Sequence, residues 1–188
     1  NVAAFLISFF LARRYVGMGM TVFLAILMIP ILGTRTELRP ESISYLFTML
    51  FFLTLIRFRD NPLSSYYGLF LLPLLELFWV NLHIYFFLGP LFILAFIFEA
   101  IIIKRLRGNI KKLTFIFFAT SAITVVNAFG IHGALAPFTI LQQYGYRLVE
   151  NQSVWFLEKL MQHSDFIVYK LAFALLCVSC IIRASGRS

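Results

Sequence analysis

Charge is what this chain of 188 residues has least of. Asp, Glu, Lys and Arg together make 13% of it, about half the share of an ordinary soluble domain. With 61% of its residues hydrophobic, the chain lacks the polar side chains to cover a soluble core, which excludes the soluble globular class. Acids are scarcer than bases, eight against sixteen, for a net charge of +8. The bases fall in short clusters between apolar runs instead of gathering on one polar face, so nucleic-acid binding is excluded as their purpose. The two cysteines, Cys177 and Cys180, form a CxxC within the last apolar run. In that setting the pair reads as small apolar residues packing one turn apart, neither a redox centre nor a marker of compartment. The three histidines, His83, His132 and His163, include no pair at the i, i+3 or i, i+4 spacing of a helical metal face. No nucleophile elbow, P-loop, dinucleotide fingerprint, HExxH or arginine ladder occurs, and no cofactor or metal is expected.

What the chain has instead is oil in long pieces. Apolar runs cover Asn1–Ala12, Val16–Gly33, Ser42–Ile56, Tyr66–Val80, Ile84–Ile103, Leu113–Val126 and Phe166–Ile182. A helix needs about 20 residues to cross about 30 Å of hydrocarbon, and several of these runs reach that length only by extending into their polar flanks. The expected fold is all-α: a polytopic transmembrane helical bundle with six to seven membrane segments. Residues 1–188 read as one transmembrane domain, part of a longer chain, with Asn1–Ala12 as the tail of a helix that begins upstream.

Counting Lys and Arg in alternate loops sets the orientation. One side receives eleven bases against one acid, Asp60; they are Arg13, Arg14, Arg57, Arg59, Lys104, Arg105, Arg107, Lys111, Lys112, Arg183 and Arg187. The other receives four bases and five acids, among them Glu37, Glu41, Glu150, Glu158 and Asp165. The first side is expected to be cytoplasmic. The varied polar segments fall on the opposite, extracytoplasmic side, and a site is expected there: "RTELRPE" (Arg35–Glu41), "WVNLHIYFFLGP" (Trp79–Pro90), "NAFGIHG" (Asn127–Gly133) and "QQYGYRLVENQS" (Gln142–Ser153).

Arg39-Pro40-Glu41 fits a helix entrance, with Pro40 in the first turn and Glu41 favourable against the dipole; the bland role of Arg39 is an interfacial anchor. Asn81 and His83 lie at the tight turn between two apolar runs. Each can donate and accept, which suits sugar hydroxyls or a phosphate ester, or else a hairpin tied together at its tip. Tyr146, Arg147, Glu150 and Asn151 combine a stacking face, a cation, an acid and an amide, as carbohydrate and lipid-phosphate sites do, or they form an aromatic belt with an ordinary loop. Asn151-Gln152-Ser153 also satisfies the glycosylation pattern. Glu76 and Glu99 interrupt apolar runs, where an acid usually pairs or faces a cavity. Glu76 is a candidate near the site, and Glu99 a structural ion pair near Lys104 and Arg105. Lys170 reads as snorkelling or paired. Asn127 closes a run, with Gly130 and Gly133 allowing tight backbone. Ala134–Leu141 is too short to span and reads as half-inserted or surface-lying.

The order "LRPESISYLF", "WVNLHIYFFLGP", "VVNAFGIHGALAPF", "YGYRLVENQS" resembles a family of prokaryotic multi-pass membrane proteins similar to the GT-C glycosyltransferases. The shared features are an RPE-type helix start, a W-x-N-x-H hairpin, an N-P-x-G-like helix end and a later acidic segment. They fall on Arg39, Pro40 and Glu41, on Trp79, Asn81 and His83, on Asn127 and Gly130, and on Glu150. Two positions depart from the pattern: Ile84 where the family often has Gly, and Ala128 where it often has Pro. The resemblance implies a GT-C-like fold in a prokaryotic plasma membrane, and transfer of a sugar from a polyprenyl-phosphate donor to a glycan, lipid or protein acceptor. It also implies a catalytic acid upstream of Asn1, so no catalytic residue is assigned within the chain. Arg39, His83 and Arg147 would steady the phosphate charge on the leaving group. A flippase for lipid-linked substrates and a non-enzymatic scaffold are the alternatives.

Overall fold

The structure, a computed structural model, describes residues 1–33, 40–143, 153–160 and 165–185. Side chains at 31–33, 140–143, 165 and 179–185 lie outside that description. Among the described residues every regular element is helical: α1 (Val2–Gly33), α2 (Pro40–Asp60), α3 (Leu71–Leu82), α4 (Leu88–Ile102), α5 (Ile110–Ile123), α6 (Gly130–Gln143), α7 (Val154–Leu160) and α8 (Asp165–Ser185). Short 3₁₀ turns at Tyr67–Phe70, Ile84–Phe87 and Lys104–Asn109 lead into α3, α4 and α5. Three stretches are long and apolar enough to cross a membrane, Val2–Pro30, Pro40–Asp60 and Ile84–Ile102; Tyr67–Leu82 and Phe166–Val178 are apolar but shorter. Many large apolar side chains lie open on their surfaces, such as Phe10, Ile26, Phe78, Phe98, Phe118 and Leu176. An oily exterior of this kind fits a membrane protein.

The chain divides into two compact units. The first comprises Asn1–Leu11 and Leu38–Gln143. Its core is a packed cluster built on Phe47, Phe51, Leu55 and Phe58 of α2, Leu72 and Trp79 of α3, Ile93 and Ile97 of α4, and Leu113 and Ile116 of α5. Cross-helix bonds fix the directions. Ser44, near the start of α2, bonds His83 just before α4, while Arg59, near the end of α2, bonds Glu99 near the end of α4. So α2 and α4 run parallel, and α3, packed on α2 and α5, runs back in the opposite direction. At the far end of α3, Asn81 reaches Val126 beyond α5, which makes α3 and α5 parallel as well. One end of this unit therefore gathers Ser44, Asn81, His83 and Asn127, and the other gathers Arg57, Arg59, Glu99 and the 104–112 cluster.

Local sequence explains the joints. Gly89-Pro90 does not kink a long helix; it sits in the first turn of α4, where a missing proline N–H removes no helical bond. The turn itself is at His83, the one extended residue between α3 and the 3₁₀ turn (φ −157°, ψ 146°). Ala134–Leu141 lies within the longer helix α6, which begins at Gly130 and carries Pro137 inside. The helix packs against the 3₁₀ turn at Ile84–Phe87.

The second unit comprises Ala12–Glu37 and Tyr144–Ser188. A loop expected at Arg13-Arg14 is absent: α1 stays helical through both arginines and breaks at Gly17 (φ 76°, ψ 173°), a backbone region open to glycine. Thr21 Oγ1 donates to the Gly17 carbonyl at 2.6 Å, next to the break. The Ser153 hydroxyl accepts from Phe156 N–H at the start of α7. Lys170 of α8 pairs with Glu158 of α7, so its charge is met within the unit. Trp155 meets the edge of Phe173 with ring centroids 6.2 Å apart. Cys177 is a free thiol exposed on α8.

Candidate functional site

The hairpin between α3 and α4 holds the most ordered polar constellation of the first unit. Trp79 is fully buried one turn before the end of α3. It stacks on Phe47 at 5.6 Å and leans on Phe51 at the same distance. Its indole N–H donates to Ser44 Oγ at 2.9 Å. That hydroxyl is itself buried and lies 2.9 Å from His83 Nδ1. Tyr85 N–H also approaches Nδ1, at 3.4 Å.

Donor counting decides the tautomer. The indole and the backbone amide can only donate, so Ser44 Oγ accepts from Trp79 and passes its own proton towards Nδ1. Nδ1 is then an acceptor, and the ring N–H sits on Nε2. Among the described residues nothing accepts from Nε2. Burial lowers the pKa of His83 from its ordinary value, while the Glu41 carboxylate on the first turn of α2 pulls it back up. The ring is also braced edge-on by Tyr85, with centroids 4.5 Å apart. The result is a neutral imidazole in a fixed pose, with one N–H free at the tip of the hairpin.

The Ser44–His83 contact is not a nucleophile and base. Ser44 is buried, and its oxygen lone pair faces the indole N–H, so no substrate carbon can reach it.

Asn81 has a different geometry. Its Nδ2 donates to the Leu77 carbonyl at 2.8 Å and to the Val126 carbonyl at 3.0 Å. The first lies one turn back on α3 itself, and the second just beyond the end of α5. The amide thus binds the ends of α3 and α5 together. Asn127 does similar work one residue later. Its Nδ2 donates to the carbonyls of Thr124 and Gly130, and its Oδ1 accepts from Phe129 N–H. Gly130 takes a left-handed conformation (φ 57°) to start α6, and a Cβ on Gly133 would lie 2.1 Å from Asn127 Oδ1. Asn127, Gly130 and Gly133 are therefore one folded corner.

Beside this corner runs a groove with two lobes. One, of about 210 Å³, is lined by Val80, Asn81, Ile84, Phe86, Asn127 and neighbours. The other, of about 340 Å³, is lined by Phe129, His132, Gly133, Leu135, Ala136 and Thr139. The lobes share Phe129, Gly133 and Ala136.

Of the residues singled out in the sequence, Glu41, Asn81 and His83 come together at this end. Arg39, Tyr146, Arg147, Glu150 and Asn151 lie outside the described residues. Sequence reasoning missed Ser44, which joins Trp79 to His83; a lone serine in "PESISYLF" gives no signal of a partner 39 residues away. Glu99 has an ion-pair partner, but it is Arg59 at 3.4 Å, instead of the nearer-in-sequence Lys104 or Arg105.

Glu76 is fully buried, and neither carboxyl oxygen has a hydrogen-bond partner among the described residues. It fits because Gly89 lacks a Cβ, which would lie 2.2 Å from Oε2 and 3.0 Å from Phe51. Thr120 of α5 is also fully buried, its hydroxyl without a partner among the described residues. Among the described residues no group of three or more His, Cys, Asp or Glu could hold a metal ion. No family model, curated protein or solved structure matches the chain.

Proposed function

We propose that the chain belongs to a polytopic membrane protein that engages a phosphate-bearing, lipid-linked substrate at the end of the bundle where His83 lies. In this reading the whole protein moves a sugar from a polyprenyl-phosphate donor to an acceptor at the extracytoplasmic face of a prokaryotic membrane. Its fold is GT-C-like, with six to seven membrane segments, and its catalytic acid lies outside this chain.

The observation that carries the reading is the fixed tautomer of His83. An Nε2–H held at the hairpin tip by Trp79, Ser44 and Tyr85 is a preset donor for a phosphate oxygen and needs no reorganisation to act. The groove along Asn81, Phe86 and Phe129 supplies apolar wall next to polar groups, as ligand pockets do. Glu41, on the first turn of α2, acts on the imidazole from the same end of the unit.

The test is sugar transfer by the full-length protein in proteoliposomes containing a labelled polyprenyl-phosphate sugar. His83→Gln keeps an acceptor for Ser44 but loses the imidazole geometry; it should abolish most transfer at an unchanged melting temperature. Full transfer by folded His83→Gln would remove His83 from the site, and no transfer by the wild type sinks the reading. A second reading is favoured by the bonds of Asn81 and His83, which join helix ends: both residues serve only as ties. Under it, substitution lowers stability and leaves any ligand affinity of the folded protein unchanged.

A further inference from the structure

The opposite end of the first unit carries an uncompensated positive patch with a built shape. Helix α4 ends at Ile102, and the 3₁₀ turn Lys104–Asn109 follows. This connector is pinned in three places. Ile103 N–H donates to the Glu99 carbonyl at 2.9 Å, Leu106 N–H donates to Ile103 at 2.9 Å, and the Leu106 side chain is buried in the core cluster. Lys104, Arg105 and Arg107 are exposed around that anchor, and Lys111 is exposed on the first turn of α5.

None of the four meets a carboxylate among the described residues. The nearby acids are already engaged, since Arg59 bonds both Asp60 and Glu99. Lys112 is held apart, over the Tyr66 ring at 4.8 Å. Four cations are thus presented on a fixed turn and the helix start that follows it, with no counter-charge among the described residues. Topogenic anchoring needs only the number of charges near a span; it does not need a turn tethered by a buried leucine.

The surroundings name the partner. Immediately before the turn, Phe98, Ile101 and Ile102 stand exposed on α4, with Ile102 at 73%. Phe115, one turn beyond Lys111, is exposed on α5. Cations bordered by open apolar side chains fit a ligand with an anionic head and hydrocarbon tails, and a soluble polyanion would leave those apolar groups uncovered. We propose that Lys104, Arg105, Arg107 and Lys111 form a binding site for the phosphate headgroup of an anionic phospholipid, whose acyl chains lie along the exposed ends of α4 and α5.

Native mass spectrometry of the full-length protein, released from nanodiscs of mixed phosphatidylcholine and phosphatidylglycerol, tests this. Wild type should retain phosphatidylglycerol well above its share in the disc. Arg105→Gln and Arg107→Gln should each reduce that preference about fivefold, as loss of one basic residue at a charged surface does. Leu106→Ser keeps every charge but unpins the turn, and it should also lose the preference. Equal retention of both lipids by wild type overturns the site. So does a folded Leu106→Ser with full preference, which would make the effect one of diffuse charge. Should Leu106→Ser fail to fold, the two arginine variants decide. Displacement of the lipid by inorganic phosphate at moderate concentration would assign the cations to a soluble anion and overturn the lipid assignment.

Discussion

Replacing Ser44 by alanine tests the geometry of the hairpin most directly. The hydroxyl serves two partners, Trp79 Nε1–H and His83 Nδ1, each at 2.9 Å. Removing it leaves the indole N–H buried with no acceptor, because Trp79 is fully enclosed. An orphaned buried donor costs about 1–3 kcal/mol. His83 fares better, since it is half-buried and keeps the Tyr85 amide, so its share falls at or below about 1 kcal/mol. Hydrogen bonds within membranes average only about 0.6 kcal/mol in double-mutant cycles, with about 1.7 kcal/mol the largest, because the unfolded state finds other partners. The expected loss for Ser44→Ala is therefore about 1–3 kcal/mol, of which about 0.6–1.7 kcal/mol should be coupling to Trp79. The assay is reversible unfolding in mixed micelles of four proteins: wild type, Ser44→Ala, Trp79→Phe and the double variant. In the Trp79→Phe background the serine has lost its donor, and Ser44→Ala should cost visibly less. Equal costs in both backgrounds, within the 0.3–0.5 kcal/mol or so that independent sites show, would refute the chain of bonds from indole to imidazole.

Acid should weaken the same region. His83 titrates below its ordinary value of about 6.5 when folded, so below that pH the unfolded chain takes up a proton that the folded one resists. Its contribution is complete above about pH 6.5 and is lost as pH falls through the folded value; His83→Gln should remove that component from a stability–pH curve. Gly133→Ala should destabilise by about 1–3 kcal/mol through overpacking against Asn127, and Gly130→Ala by about 1–2 kcal/mol through its left-handed backbone. If chemical unfolding ranks both variants with wild type, the corner is not rigid. Glu76→Met removes a buried carboxyl without partners and should leave stability equal or higher. A loss of more than about 2 kcal/mol would mean that Glu76 has a partner in the membrane. Gly89→Ala should cost about 1–3 kcal/mol in wild type and less beside Glu76→Ala, which removes the clash with Oε2 and leaves only the 3.0 Å approach to Phe51; thermal melts of the three variants check this.

The runs of oil were legible because burial and lipid exposure both demand apolar side chains. Their ends were less so, since a helix continues through charge wherever the charge can reach solvent, as at Arg13 and Arg14 in α1. The segregation of bases to one end of the first unit was visible by counting alone. Partnership was not. Sequence proximity pointed Glu99 to Lys104, but parallel packing of α2 and α4 delivers Arg59. The polarity of Asn81 and His83 was plain, whereas their uses diverge: one amide lies across two carbonyls, and one imidazole keeps an N–H that no described residue accepts. That difference depends on Ser44 and Val126, which no local pattern marks. Nor does any local pattern mark the use of Gly89, whose missing Cβ leaves room for the Glu76 carboxyl.

The clasp between Ser44 and the hairpin also sets an order of events. Ser44 precedes Trp79 by 35 residues and His83 by 39, so α2 is synthesised well before anything can bond its hydroxyl. Through that interval the face carrying Ser44, Phe47, Phe51 and Leu55, later sealed in the core, must lie against lipid or some temporary neighbour. Only when α3 and α4 enter as a hairpin does α2 exchange that company for Trp79. The core face of α2 can thus close only after α3 brings Trp79 to it.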